Sequence, residues 1–124
     1  MYINNNIQKQ IIILAFKKKL IYQQYSLFTD GNASIRRTRF FNNIEDLNKL
    51  NWKCLKDKYW NNFKDGKREI MSEILVPDKV NIKYLKKIYC DNYATKKNLE
   101  KFLANYTNLN LGHIKIEVNN KIFF

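Results

Sequence analysis

Apolar positions along this chain follow short, changing rhythms, and each rhythm predicts a different element. Residues 10–16 (Gln-Ile-Ile-Ile-Leu-Ala-Phe) are a β-branched run stopped by Lys17, Lys18 and Lys19, which predicts a fully buried strand. Tyr25 to Phe28 predicts a second short strand, closed by the turn signal Thr29-Asp30-Gly31-Asn32. Ile44, Leu47 and Leu50 share one helical face, with Asn42 or Asn43 as N-cap. Trp52, Leu55, Tyr59, Trp60 and Phe63 predict a second helix ending at Asp65-Gly66. Ser72 to Val76 reads as a strand stopped by Pro77-Asp78, and Lys86 to Cys90 as another. A helix capped by Thr95 should run to about Tyr106 with Leu99, Phe102 and Leu103 inward. His113 to Val118 alternates like a half-buried strand, which Lys121 to Phe124 would extend along its edge. Strands and helices interspersed by short loops predict an α+β fold.

Length and composition narrow the function. With 124 residues, 45% of them hydrophobic, the chain is expected to form a single domain over residues 1–124 around one modest core. Its longest apolar run, Ile11 to Phe16, is far below the ~20 residues a membrane-crossing helix requires. Lys and Arg outnumber Asp and Glu by 23 to 11, a net charge of +12 that calls for a polyanionic partner. Nucleic acid ranks above a membrane surface, because no Lys-rich amphipathic helix with exposed Trp or Leu is evident. An Asn-rich start without a small-residue cleavage site predicts a cytoplasmic protein. Cys54 and Cys90 form no CxxC pair, and His113 cannot complete a zinc site with them. Both are read as reduced thiols, Cys54 as a small core residue, and no metal is expected.

Three stretches carry candidate chemistry. In Phe28-Thr29-Asp30-Gly31-Asn32-Ala33-Ser34, short polar side chains fold onto nearby backbone and Gly31 supplies positive φ, giving an ordered turn. It is either a hairpin corner or a loop presenting Asp30, Asn32 and Ser34 to a ligand. Three of the chain's four arginines, Arg36, Arg37 and Arg39, fall in one tetrapeptide followed by Phe40 and Phe41. Forked cations beside aromatic rings suit single-stranded nucleic acid, although a solvated basic loop needs no function. Glu73 stands immediately before an Ile-Leu-Val strand, where a desolvated carboxylate is costly unless it is paired or useful. Glu69 would share its helical face if 67–72 is a helix. Trp52 and Trp60 are expected to be buried rather than to stack bases, and His113 to face solvent.

The order of these pieces resembles the C-terminal half of the DarT-type DNA ADP-ribosyltransferases, bacterial toxins paired with a macrodomain antitoxin, DarG. The resemblance rests on Phe-Thr-Asp-Gly-Asn-Ala, Thr38-Arg39-Phe40-Phe41, Leu50-Asn51-Trp52, Trp60 and Lys-Arg-x-x-x-Ser-Glu-Ile-Leu-Val-Pro, and covers about residues 9–124. It implies an ADP-ribosyltransferase-like mixed sheet with short flanking helices, and transfer of ADP-ribose from NAD to a thymine base in single-stranded DNA. It implies that Glu73 is the catalytic glutamate and that Asn32 to Glu73 is the substrate-reading turn. Arg36, Arg37, Arg39 and Phe40 would then face DNA, with Asp30, Asn32, Ser34 and Trp52 in the substrate loop. The family's His-Ile-Thr-like NAD segment and its cofactor-gripping arginine have no counterpart in Met1 to Gln10. The expectation is therefore an incomplete core: either a separately encoded N-terminal half completes it, or the gene is truncated or its start misplaced, or the chain is a degenerate copy. The alternative is a catalytically inactive remnant that binds single-stranded DNA or the antitoxin.

Overall fold

The computed structural model describes residues 10–123, which gather into two compact units. The Asn-rich segment 1–9 and Phe124 of the expected edge extension lie outside the described residues.

The first unit takes residues up to Lys17 and from Asn81 onward. Its sheet has the order β1-β5-β6, with β1 (Ile12–Phe16) antiparallel to β5 (Leu85–Cys90) and β5 parallel to β6 (Lys115–Val118). A register shift between Ala15 and Phe16 passes over Lys86. That bulge changes the side-chain phase of β5, so Leu85 and Ile88, three residues apart, are both buried along with Cys90. β1 is an edge strand and leaves Leu14 and Phe16 exposed, which corrects the expectation of a fully buried strand. The parallel pair is joined through a helix, Tyr93–Ala104. Its N-cap is Asn92, whose side chain accepts from the Thr95 N–H, rather than Thr95 itself. Leu99 and Leu103 are half-buried, but Phe102 turns outward at 56% exposure and packs on Tyr106, with ring centroids 5.2 Å apart. The i, i+4 spacing sets that pair beside the apolar face rather than on it. The chain then closes in a 3-10 turn, Asn120–Ile122, where an extended edge was expected.

The second unit, Lys18–Val80, holds an antiparallel sheet of order β3-β2-β4. β2 (Leu27–Thr29) lies in the middle, between β3 (Phe40–Phe41) and β4 (Ile74–Leu75). Phe28 pairs with Phe41 on one side and Ile74 on the other, and is buried. Asn43 caps residues 44–49 by accepting from the Glu45 N–H, and the turn so started is 3-10 rather than α. The single aromatic helix expected over 52–63 is broken. An α-helix, Trp52–Lys56, stops at extended Asp57, a 3-10 turn covers Trp60–Asn62, and Gly66 begins a second helix, Gly66–Glu69, instead of ending the first. A Cβ on Gly66 would stand 1.8 Å from the Trp60 carbonyl oxygen, so only glycine lets these turns close on each other. Cys54 is fully buried behind this turn, with its Sγ 3.8 Å from the Gly66 carbonyl oxygen. Trp52 and Trp60 remain exposed, against expectation, because short turns leave no continuous apolar face to cover them. No helix among the described residues is long and apolar enough to cross a membrane.

Candidate active site

Thr29 and Glu73 are 44 residues apart in sequence, and β2 and β4 bring them together. The Thr29 N–H donates to the Glu73 carbonyl, and the Glu73 N–H donates to Thr29 Oγ1 at 3.0 Å. This double tie fixes the backbone of Glu73 at the start of an edge strand. From there its Oε1 accepts the Ala33 N–H at 3.4 Å. The Glu73 side chain is exposed, so no desolvation cost attaches to it.

The turn that carries Ala33 is built around one buried carboxylate. Asp30 accepts the Arg39 N–H at 2.9 Å, the Arg39 Nε–H at 2.7 Å and an Arg68 Nη1–H at 2.8 Å. Burial pushes its pKa up, but these hydrogen bonds outweigh burial and hold the carboxyl below the ordinary carboxylate value. Arg68 also donates to the Asp30 carbonyl and to Thr38 Oγ1, and pairs with Asp65. The glycine in this turn is required for a reason other than the expected positive φ, which no described glycine adopts. A Cβ on Gly31 would lie 2.3 Å from Arg68 Nη1, so the bare backbone makes room for the guanidinium. Asn32 Oδ1 then accepts from the Ser34 N–H and hydroxyl, and Thr38 Oγ1 donates to the Asn32 carbonyl at 2.7 Å.

Of the sequence-predicted residues, Asp30, Asn32, Ser34, Arg39 and Glu73 are thus tied into one turn. Arg37 pairs with Asp65, and both line a groove of about 520 Å3 together with Asn32, Ile35, Trp60, Lys64, Lys67 and Met71 among others. Arg36 is exposed and meets no carboxylate among the described residues. Phe40 is exposed on β3, whereas Trp52 stands on its own helix and donates its indole N–H to the Leu47 carbonyl. Glu69 does not share a face with Glu73, because its helix ends there and its carboxylate accepts from Asn51 Nδ2. Arg68 entered the sequence reading only as part of the Lys-Arg-x-x-x-Ser-Glu motif and Asp65 only as a helix end, neither with a role of its own. The available signal was a lone arginine outside the basic tetrapeptide.

A buried Asp–Arg network, a turn closed on a strand-edge glutamate and a basic loop form one charged cluster on an α+β frame. The profile of the DarT family, described as ssDNA thymidine ADP-ribosyltransferase, matches residues 1–124, and the chain belongs to that family. A relative from Thermosipho africanus, a DNA ADP-ribosyl transferase–DNA ADP-ribosyl glycohydrolase fusion protein, is 35% identical over 98 residues. That match takes in 78% of this chain and 25% of the relative. A DNA ADP-ribosyl transferase from Thermus aquaticus is 26% identical over 73% of this chain and 39% of its own length. The chain therefore spans between a quarter and two fifths of these relatives. Thermus sp. 2.9 DarT in complex with ADP-ribosylated ssDNA shares the fold, with a TM-score of 0.81 at 16% identity. The overlap covers 91% of this chain and 54% of that one.

Proposed function

We propose that this chain forms the Glu73-bearing part of a DNA ADP-ribosyltransferase, with NAD as donor and a thymine base of single-stranded DNA as acceptor. The observation that carries the reading is the fixed carboxylate: Thr29 clamps the backbone of Glu73, Ala33 holds one of its oxygens, and the other stays unpaired among the described residues. Breaking the nicotinamide–ribose bond sends the bonding pair to nicotinamide and leaves positive charge developing at the anomeric carbon. A carboxylate fixed there stabilises that charge by accepting from a ribose hydroxyl. It also serves as proton acceptor when a heteroatom of the base bonds to that carbon and loses its hydrogen. Arg36, Arg37 and Phe40, all exposed, supply cations and a ring for the strand. The Thermosipho fusion protein joins a transferase to a glycohydrolase, which supports a DarG-like macrodomain antitoxin as partner.

The test is incubation with NAD and thymine-containing oligonucleotides, with and without the product of the neighbouring gene. An ADP-ribosylated oligonucleotide is expected, reduced about a hundredfold or more by Glu73→Gln. No adduct under any pairing, or an equal adduct from Glu73→Gln, defeats the catalytic assignment. The net charge of +12 favours one other reading, a non-catalytic module for single-stranded DNA or the antitoxin. Oligonucleotide binding that weakens steeply with salt, without any adduct, selects it.

A further inference from the structure

We infer that a second groove on the unit Lys18–Val80, formed by residues 21–28 and 42–44, is a subsite for one flanking base of the DNA strand. The inference rests on the single-stranded DNA reading above. The groove measures about 770 Å3, within the size range of small-ligand sites, and shares no lining residue with the one beside Trp60.

Four observations give it the chemistry of a base cleft. Tyr22 and Tyr25 line it at 68% and 75% exposure, two rings left in water where a folded chain gains nothing from them. Tyr25 is also held at φ 70°, a left-handed conformation that a bulky residue adopts only when its surroundings impose it. Ser26 lies in the same wall, 4% exposed, and its Oγ finds no hydrogen-bond partner among the described residues. Buried hydroxyls are normally paired, so this one is suited to a polar group entering the groove. The Asn42 side-chain amide is exposed and also unpartnered among the described residues, and such amides match the paired donors and acceptors on base edges.

The cations needed for the sugar–phosphate backbone stand next door. One residue before Asn42, the Phe41 ring holds the Arg39 guanidinium at 5.4 Å and the Lys49 ammonium at 5.3 Å. β3 thus leads from the basic tetrapeptide through this pair of charges into the groove. A strand held by the arginines continues along it, with a base between tyrosines and phosphates beside Arg39 and Lys49. That continuity favours a base of the nucleic acid over the adenine of the dinucleotide as occupant.

The experiment is fluorescence anisotropy with a labelled thymine-containing 12-mer and versions abasic at each position in turn. Wild type is expected to lose about tenfold in affinity when one particular flanking base is missing. Tyr22→Ala/Tyr25→Ala should bind the intact 12-mer about tenfold more weakly and be indifferent to that abasic site. Tyr22→Phe/Tyr25→Phe, which keeps both rings, should behave as wild type. Unchanged, salt-sensitive binding by the alanine pair overturns the subsite and leaves the DNA reading standing. Failure of wild type to bind any oligonucleotide overturns both. Loss of ADP-ribose binding in the alanine pair, with oligonucleotide binding intact, assigns the groove to the dinucleotide and overturns the proposal.

Discussion

In the unit built on β1, β5 and β6, the buried side chains are Leu85, Ile88 and Cys90, and the ion pairs, Lys87–Glu117 and Lys96–Glu100, lie at its surface. In the unit Lys18–Val80, Ser26, Thr29, Asp30 and Thr38 are buried alongside Phe28 and Cys54. One unit is ordered by apolar strand faces, the other largely by the hydrogen bonds of Thr29, Asp30 and Thr38, with the Ser26 hydroxyl left over among the described residues. A hydrophobic contact tolerates sliding, whereas a bidentate hydrogen bond fixes direction. The candidate chemistry sits where direction is fixed: the turn that hands Ala33 to Glu73 is held by Asp30, Arg39 and Arg68 rather than by packing. The thiols add nothing to that chemistry, since burial pushes the pKa of Cys54 and of Cys90 up, away from the reactive thiolate.

The sharpest way to break the contrast is to make the same change in both units. Arg68→Met leaves the Asp30 carboxylate, whose side chain is 7% exposed, with only Arg39 for company. Removing one partner from a buried charge network typically costs about 3 kcal/mol. Lys87→Met removes half of a half-buried pair at the surface, which contributes little. Urea denaturation followed by far-UV circular dichroism, to which both units contribute, should show the first substitution as a large drop in midpoint and the second as little or none. Equal shifts from the two would erase the distinction.

Glycine offers a smaller version of the same experiment. Gly66→Ala drives a methyl into the Trp60 carbonyl, and backbone has to move; overpacking of this kind costs about 1–3 kcal/mol. Gly112, in the other unit, has nothing within 4 Å of its missing Cβ and no left-handed φ, so Gly112→Ala should change stability by no more than about 0.5 kcal/mol. Thermal melts followed by circular dichroism compare the two directly.

The same division explains what could be read from the sequence. Where apolar periodicity organises the chain, it was legible: the β5 strand, the helix of Leu99 and Leu103, and the alternation of β6 lie near their expected places. Its errors there are local, such as Thr95 for the Asn92 cap, and the Lys86 bulge that brings Leu85 inward. Between Asn51 and Ser72 the apolar spacing misled, because the short turns there are closed by Gly66 and by backbone hydrogen bonds that leave no pattern of period 3.6. The turn from Asp30 to Ser34 announced itself through local polar chemistry. Arg68 did not, because a contact across 38 residues has no local signature.

The smallest expected difference is in pH response, and its sign separates the units. Asp30, pushed up by burial but held down more strongly by Arg39 and Arg68, and Asp65, held down by Arg37 and Arg68, both titrate below the ordinary 3.8 when folded. The unfolded chain then binds more protons between the folded and unfolded values. Their stabilisation is complete above 3.8 and is lost as pH falls through the lowered folded value. Lys87 runs the other way: hydrogen bonding and attraction from Glu117 raise it above 10.5, so its contribution is complete below 10.5 and disappears as pH rises beyond it. Each unit contains one buried cysteine, Cys54 in Lys18–Val80 and Cys90 on β5. In the two single-cysteine variants, thiol labelling normalised to the unfolded chain should accelerate in acid for Cys54 first. At the alkaline end it should accelerate for Cys90 first, and Glu117→Gln should abolish that alkaline step. Acceleration of both thiols together at both ends would mean that the polar network and the apolar sheet share their protons' consequences, and the contrast drawn between them would fail.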